Sequence, residues 1–457
     1  MKKAPLAGIR VIEHGQLLAV PFAARQLADL GAEVIKIEAA IRLDSHRQTT
    51  YPDNDPGDRF WDRGGTYYSE NRGKLGITLD LRNPVAVEVA KDLVRISDVV
   101  VENFTTRVMQ QFGLDYAELI KIKPDIIVMS STGYGHTGPW KDFKAVGPTT
   151  ESASGVAVTT GYEDDDPQMA DIPYTDYVAA DQNVMGVLLA LYKRKRTGKG
   201  SEVDISQVEA QASLAGELYM DAALNGTSHV PHGNHHAVMS PHEFFPCAGE
   251  DRWCAIAVSN DEEWQGLQAA MGNPAWAADA KFAHLDGRKA NEAELDGKLA
   301  EWTRGFDAHA LMERLQSHGV PAGVAQSGRD LVFNEHLAAR GFFGWLSHPD
   351  GTDIPDKPYA GSGWRFSESD RGLRRNAPAL GEHNEHVLRN ILGYSAEKYA
   401  EIVASGALGG APEEFNRPNP VGLDVLLKQG RIVEHDTGYQ ERLQQFRETH
   451  PSANGSK

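Results

Sequence analysis

Residues 5–38 read PLAGIRVIEHGQLLAVPFAARQLADLGAEVIKIE, and this stretch decides the fold class. It opens with a short apolar run that is typical of a buried strand and ends near Gly15. Ala19 to Leu30 has the apolar spacing of a helix, and Gly31 stops it. Val34 to Glu38 is again strand-like. A strand, a helix and a strand in this order predict a parallel βαβ unit.

The same alternation continues through the first third of the chain. Strand-like runs occur in GITLDL, DVVVENF and PDIIVMSS, and a helix opened by Pro84 separates the first two. Parallel strands joined by helices form a sheet that is covered on both faces, and ligands bind beyond the carboxyl ends of its strands. We therefore expect a ligand site around His14 to Leu18, Asn103 and Phe104, and Ser130 to Gly135.

Composition excludes several classes of protein. The chain has 457 residues, which exceeds one compact core and predicts two domains. Its formal net charge of −18 argues against binding to nucleic acid or to membrane surfaces. It has no run of about 20 apolar residues and no signal-peptide pattern, so we expect no membrane span. The two cysteines, Cys247 and Cys254, suit the reducing cytosol, and a cytoplasmic location is expected.

Metal and nucleotide motifs are missing from the sequence. The two cysteines have the spacing of neither a disulfide framework nor a zinc site. HGQLLAV carries one glycine where the dinucleotide fingerprint needs three. A histidine-rich loop lacks the partner residues of a metal motif, and we interpret it as a polar loop; its histidines are His232, His235, His236 and His242. We expect no metal and no permanently bound cofactor.

Several longer motifs follow one another along the chain. They include PLAGIRVIE, NRGKLGITLDLRNP, SDVVVENF, STGYGHTGPW, RTGKGSEVDISQVEA and LGEHNEHVL. With them the chain resembles the class III CoA-transferases, the family of formyl-CoA transferase and carnitine CoA-transferase, from about Pro5 to Leu408. The resemblance implies a large Rossmann-like α/β domain built from both chain ends, residues 1–225 and 341–410. It also implies a smaller middle domain at 226–340, an extension at 411–457, and two chains that interlock as a homodimer.

The resemblance also implies an activity and a set of site residues. Such enzymes move CoA from an acyl-CoA donor to a carboxylic acid acceptor, through an aspartyl anhydride and an aspartyl-CoA thioester. The catalytic aspartate of the family falls on Asp176, which from its position alone is equally typical of a helix cap. Gln16 and Tyr134 fall where the family lines its substrate pocket. CoA-contacting positions fall on Leu18, Ala19, Leu79, Arg82, Asn103, Phe104 and Lys144.

The chain departs from the family pattern in three places. Ala39 and Gln111 stand where many members carry CoA-contacting arginines. The glycine-rich loop of the formyl-CoA branch has no counterpart near Gly233, which argues against formyl and oxalate as substrates. The candidates to replace the two arginines are Arg42, Arg47 and Arg107.

Two other functions stay open at this point. The α-methylacyl-CoA racemases resemble the same fold and would also place an aspartate at Asp176, but their histidine falls on Val146, which cannot take up a proton. His136 lies ten positions earlier. The second alternative is a subunit of a heteromeric CoA-transferase, against which the aspartate at position 176 counts.

Overall fold

The computed structural model describes residues 4–162, 165–369, 373, 375–412 and 415–450. The chain divides into two compact units. The larger unit takes the residues up to Ala157, Met169–Ser228 and the residues from Glu335 onward. The smaller unit takes Val158–Gln168 and His229–Asn334, so it includes a short segment that the sequence analysis assigned to the large domain.

Strands and helices alternate in the larger unit. The strands of the chain are β1 (Arg10–Glu13), β2 (Glu33–Glu38), β3 (Leu75–Thr78), β4 (Val99–Glu102), β5 (Ile127–Thr132), β6 (Ser201–Ser206), β7 (His242–Pro246), β8 (Trp253–Ala257), β9 (Ala322–Val324), β10 (Phe343–Leu346) and β11 (Lys357–Ala360). The α-helices are α1 (Ala19–Asp29), α2 (Gly65–Asn71), α3 (Pro84–Arg95), α4 (Arg107–Gln111), α5 (Tyr116–Ile122), α6 (Gly147–Ala153), α7 (Tyr174–Thr197), α8 (Gln207–Ala212), α9 (Gly216–Asn225), α10 (Asp261–Ala270), α11 (Leu285–Ala290), α12 (Glu292–Thr303), α13 (Ala308–Ser317), α14 (Gly328–Val332), α15 (Glu335–Ala339), α16 (Ala396–Ala404), α17 (Leu423–Lys428) and α18 (Tyr439–Thr449).

A parallel sheet organises the larger unit. Among its described residues, six strands pair in parallel in the order β3-β2-β1-β4-β5-β6. This is the strand order of doubly wound nucleotide-binding sheets, whose ligand crevice opens where the order reverses, here between β1 and β4. The predicted α/β class with a parallel sheet is therefore confirmed.

The strand residues alternate between two cores because successive side chains of a strand point to opposite faces. Val11 and Val34 belong to the core that α1 and α7 cover. Ile12 and Ile35 belong to the core on the other face, which α3 covers together with buried residues of the last third of the chain. Both faces of the sheet are thus buried, as a parallel sheet requires.

The last third of the larger unit packs along β3. The backbone N–H of Gly76 donates to the ring of His383 over 3.2 Å, and the N–H of His383 donates to the carbonyl of Gly76 over 2.9 Å. Val387, Leu388 and Ile402 are buried in the core beside α3. A chain that returns to the first sheet in this way completes the core on one face.

The smaller unit has its own sheet and its own core. Its strands pair antiparallel in the order β7-β8-β9. Helices α10, α12 and α13 surround the strands, and their buried side chains include Trp264, Leu295 and Leu311. No helix in the described parts of the chain has the length and apolar character needed to cross a membrane.

Candidate active site

The turn after β1 lies at the crevice between β1 and β4. Asn103, which directly follows β4, holds this turn with two hydrogen bonds. The backbone N–H of Gln16 donates to Asn103 Oδ1 over 2.9 Å, and Asn103 Nδ2 donates to the carbonyl of Gln16 over 2.8 Å. Asn103 and Gln16 were both predicted as site residues, and the structure brings them into direct contact.

A buried carboxylate fixes the next residue of the turn. Leu17 has a φ of 62°, an unusual conformation for a branched side chain. Its backbone N–H donates to both oxygens of Asp44, over 3.2 and 3.3 Å. Asp44 is fully buried and lies 3.5 Å from Lys36 Nζ, which also contacts Glu13 over 3.2 Å. Paired buried charges therefore hold the turn that precedes α1.

Asp176 lies in the first turn of α7 and reaches the start of a different helix. The backbone N–H of Ala19 donates to its carboxylate. Ala19 is the first residue of α1, and α1 has neither a side-chain cap from its preceding residue nor an acidic residue in its first turn. Asp176, which belongs to α7, thus acts as the cap of α1. The positive end of the α1 dipole favours its negative charge.

Gly147 provides the space that Asp176 occupies. A β-carbon at position 147 would stand 2.8 Å from Oδ2 of Asp176 and 3.2 Å from the β-carbon of Pro173. A contact of 2.8 Å is shorter than real β-carbons make, so a side chain at position 147 would displace the Asp176 carboxylate or the start of α6. Gly147 was not predicted as a site residue.

The environment of Asp176 raises its pKa from the ordinary value to about 6. Burial is the main cause, since it disfavours the charged carboxylate. The positive charge of His46 and the hydrogen bond from Ala19 lower the pKa of Asp176 and offset part of this effect. Near neutral pH most of the Asp176 population is therefore ionised, although its carboxylate is poorly solvated.

Asp176 lines a cavity of about 270 Å³, which we call the Asp176 cavity. Four of the predicted residues share it with Asp176: Leu18, Asn103, Phe104 and Tyr134. His46, Lys141, Val146 and Gly147 also line it, and none of them was predicted as a catalytic or binding residue.

A second cavity, of about 260 Å³, opens on the β2 and β3 side and is called the Arg82 cavity. Leu79 and Arg82, the predicted CoA-contacting residues, line it, and Phe104 lines both cavities. Gln16, which was predicted to line the substrate pocket with Tyr134, lines the Arg82 cavity and not the Asp176 cavity. The two cavities are therefore neighbours that share one aromatic wall. Together they could hold the two ends of an elongated ligand.

The Arg82 cavity also contains the two positions that depart from the family pattern. Ala39, Gln111 and Arg42 all line it. Arg42 is exposed, and its backbone N–H donates to the carbonyl of Ala39 over 3.0 Å, which places it in the same turn. Arg42 is thus the replacement candidate that reaches this cavity.

The other two replacement candidates are engaged elsewhere. Arg47 is fully buried and pairs with Glu38 over 2.8 Å and with Asp62 over 3.2 Å. Arg107 pairs with Asp142 over 3.0 Å and does not line the Arg82 cavity.

Two predicted CoA-contacting residues lie outside both cavities. Ala19 is fully buried, so its backbone N–H rather than its side chain is the group that faces Asp176. Lys144 is exposed and lines neither cavity, whereas Lys141 in the same turn lines the Asp176 cavity.

The histidine-rich loop lies in the smaller unit and forms local contacts. His235 pairs with Asp296 over 3.4 Å, His242 contacts the carbonyl of Asn234 over 2.5 Å, and the ring of His236 accepts from the N–H of Val238. Within the described residues, no group of three or more histidine, cysteine or acidic side chains is arranged to hold a metal ion.

Comparison with known proteins gives the family. The profile described as CoA-transferase family III matches residues 6–384. The chain belongs to this family. As an enzyme of CoA-transferase family III it uses CoA thioesters as substrates. Its parallel sheet, Asn103 and Asp176 lie within the matched region.

Three curated relatives match this CoA-transferase over nearly their own whole length. A succinyl-CoA–D-citramalate CoA-transferase from Chloroflexus aurantiacus is 32% identical over 88% of this chain and 97% of the relative. A succinate–glutarate CoA-transferase from Agrobacterium fabrum is 32% identical over 85% and 96%. The β subunit of a succinyl-CoA–L-malate CoA-transferase from Chloroflexus aurantiacus is 30% identical over 87% and 96%.

A solved structure supports the same assignment. The crystal structure of a CaiB/BaiF family protein from Brucella suis superimposes with a TM-score of 0.77 at 31% identity. The match covers 86% of this CoA-transferase and all of that chain. The racemase alternative is not favoured, because the curated relatives are named as CoA-transferases. Val146, which cannot take up a proton, lines the Asp176 cavity.

Proposed function

We propose that this CoA-transferase moves CoA from succinyl-CoA to a short dicarboxylic acid, with Asp176 as the carboxylate nucleophile. The observation that carries the proposal is the placement of Asp176. Its carboxylate is half-buried, lines a cavity and accepts a hydrogen bond at the amino end of α1. A poorly solvated but ionised carboxylate is suited to nucleophilic attack, because little hydration must be lost.

The first half of the reaction transfers CoA to the enzyme. An oxygen of Asp176 attacks the thioester carbonyl of the donor, and the C–S bond breaks to give an aspartyl–acyl anhydride and the CoA thiolate. The thiolate then attacks the aspartyl carbonyl of the anhydride. Succinate leaves as its carboxylate, and Asp176 carries CoA as a thioester.

The second half reverses these steps with the acceptor acid. The acceptor carboxylate attacks the aspartyl thioester and releases the thiolate, which then attacks the acceptor carbonyl of the new anhydride. The products are the acceptor's CoA thioester and the free carboxylate of Asp176. Neither half gains or loses a proton overall, and the thioester energy is conserved in covalent form, so no ATP is needed.

Charge in the two cavities supports the substrate assignment. Arg42 and Arg82 line the Arg82 cavity in a protein whose net charge is negative. Arg82 pairs with Asp80 over 2.9 Å, so Arg42 is the cation that we assign to the phosphate groups of CoA. Lys141 is exposed and lines the Asp176 cavity. We propose that the ammonium group of Lys141 binds the second carboxylate of a dicarboxylic acid. The names of the relatives, which act on citramalate, glutarate and malate, agree with this class.

An exposed apolar surface in the larger unit supports a homodimer. Met185, Leu189 and Tyr192 recur at helical spacing on α7 and are 55–61% exposed. Tyr219 and Leu224 of α9 are 53% and 73% exposed. A row of exposed apolar side chains on one face of a helix, as on α7, is typical of a protein interface. The β-subunit name of one relative keeps a heteromeric assembly as the second candidate.

The experiment is to incubate the purified protein alone with succinyl-CoA and a panel of acids, and to read the CoA products by mass spectrometry. We expect new CoA thioesters with glutarate, malate or citramalate and not with acetate or benzoate. Asp176→Asn, which keeps an oxygen that can accept from Ala19, should form none. If the wild-type protein alone transfers no CoA to any of these acids, the proposal of a self-sufficient enzyme is wrong.

A further inference from the structure

His46 is an ionisable side chain whose positive charge lowers the pKa of Asp176. Both residues line the Asp176 cavity, and they come from different elements. His46 belongs to a short 3₁₀ turn at Ser45–Gln48, and the backbone N–H of His46 donates to Asp44 over 3.1 Å. Because Asp44 is buried and also holds Leu17, the turn has little freedom to move the imidazole.

Glu70 orients the imidazole. The Nδ1 atom of His46 lies 2.5 Å from Oε2 of Glu70, and the Glu70 side chain is only 2% exposed. This contact engages Nδ1 and leaves Nε2 as the second donor of a protonated ring. Burial alone would lower the pKa of His46, but the hydrogen bond and charge of Glu70, together with Asp44, outweigh it and raise the pKa. Burial raises the pKa of Glu70, whereas the hydrogen bond and positive charge of His46 lower it, so each group favours the charged form of the other.

Other charged groups surround this pair on each element packed against it. Lys36 and Asp44 act on His46, and Lys74 and Asp44 act on Glu70. Arg25 of α1 and Tyr177 of α7 interact with Glu70 as well. Since these groups are held by the fold, the charge on His46 is set by a fixed environment rather than by bulk solvent.

We propose that His46, held by Glu70, is a positioning residue whose positive charge favours the ionised form of the Asp176 carboxylate across the cavity that both residues line. The inference rests on the proposed role of Asp176 as the nucleophile. Burial disfavours the charge on Asp176, and the imidazolium offsets part of that penalty at the wall of the same cavity. The Ala19 N–H fixes the carboxylate from one side, and His46 supplies a positive charge from another element.

The size of the effect follows from the fraction of Asp176 that is ionised. If loss of the imidazolium raises the pKa of Asp176 by about one unit, the ionised fraction at pH 6 falls about fivefold, while at pH 8 it falls by about a tenth. His46→Gln should therefore be impaired mainly at low pH. A purely structural loss would instead reduce activity by a similar factor at each pH.

The test measures Asp176 directly. A carbodiimide with glycine ethyl ester modifies protonated carboxyl groups, and mass spectrometry of the Asp176 peptide gives its labelling rate against pH. We expect the labelling midpoint to lie near pH 6 in the wild type and to move to higher pH in His46→Gln. Glu70→Gln keeps the imidazole but removes its counter-charge, so the midpoint should rise there as well. His46→Lys should restore it.

The matched control is His284→Gln. His284 also pairs with a carboxylate, Asp261, over 3.1 Å, but it lies in the smaller unit and should leave the Asp176 midpoint unchanged. An unchanged midpoint in folded His46→Gln, or in Glu70→Gln if His46→Gln fails to fold, would overturn the inference. Labelling does not require turnover. A wild-type protein that transfers no CoA would therefore refute the proposed function, while the labelling midpoints would still decide whether His46 acts on Asp176.

Discussion

Replacing Gly147 by alanine tests whether the position of Asp176 controls the rate. The new β-carbon would stand 2.8 Å from Oδ2 of Asp176, whereas a carbon and an oxygen in ordinary contact are about 3.4 Å apart. The carboxylate or the start of α6 must therefore move by about 0.6 Å. Misplacement of a reacting group by about 1 Å can cost 100-fold in rate, so we expect kcat to fall about 10- to 100-fold.

Stability and CoA binding should change little in Gly147→Ala. The residue is only half-buried and begins a helix, a position that alanine tolerates, and it does not line the Arg82 cavity. The control is Gly328→Ala, since Gly328 also begins a helix but an added β-carbon there meets nothing within 4 Å. The assay is steady-state transfer from succinyl-CoA, together with calorimetric CoA binding and thermal melting. A folded Gly147→Ala enzyme with wild-type kcat would refute the reasoning.

Three further predictions concern charge. The value of kcat/KM should fall about tenfold per pH unit below pH 6, because Asp176 must be ionised and its pKa is about 6, while a flat profile down to pH 4.5 would contradict this. Because the pKa of Asp176 is raised in the folded protein, the stability that its protonated form contributes is lost as pH rises from about 4 to 6. We therefore expect Asp176→Asn to melt at a higher temperature than the wild type across that range and not below it. Arg42→Ala should weaken CoA binding by about 1–3 kcal/mol, as expected for a charge-assisted contact, whereas Arg107→Ala, whose cation pairs with Asp142, should leave it unchanged in the same titration.

The sheet and the place of the site could be predicted from the sequence, because both depend on local patterns. Apolar runs marked the strands, and parallel strands bring their carboxyl ends to one edge. Asn103 directly follows β4, and the turn at Gln16 follows β1. Their closeness therefore follows from the parallel order of the strands. The position of Asp176 came from the resemblance to the family, since an aspartate early in a helix has no distinctive pattern of its own.

The groups that tune Asp176 could not be predicted, because their contacts join distant parts of the chain. His46 stands in a stretch without periodicity that reads as a loose loop, yet this stretch contains the fully buried Arg47 and Asp44. The His46 contact with Glu70 spans 24 residues. Gly147 has no sequence signal beyond being a glycine, and the structural reason for it is the Asp176 carboxylate, which lies close only after folding.

The most direct test of the account is to trap the enzyme-bound intermediate on Asp176. Donor succinyl-CoA is added without any acceptor, the mixture is quenched with hydroxylamine, and the Asp176 peptide is analysed by mass spectrometry. We expect a hydroxamate at Asp176 that requires the donor, does not require the acceptor and is absent in Asp176→Asn. An unmodified Asp176 under excess donor, with solvent deuterium appearing at the α-carbon of the acyl group, would contradict the transferase mechanism and indicate proton abstraction instead.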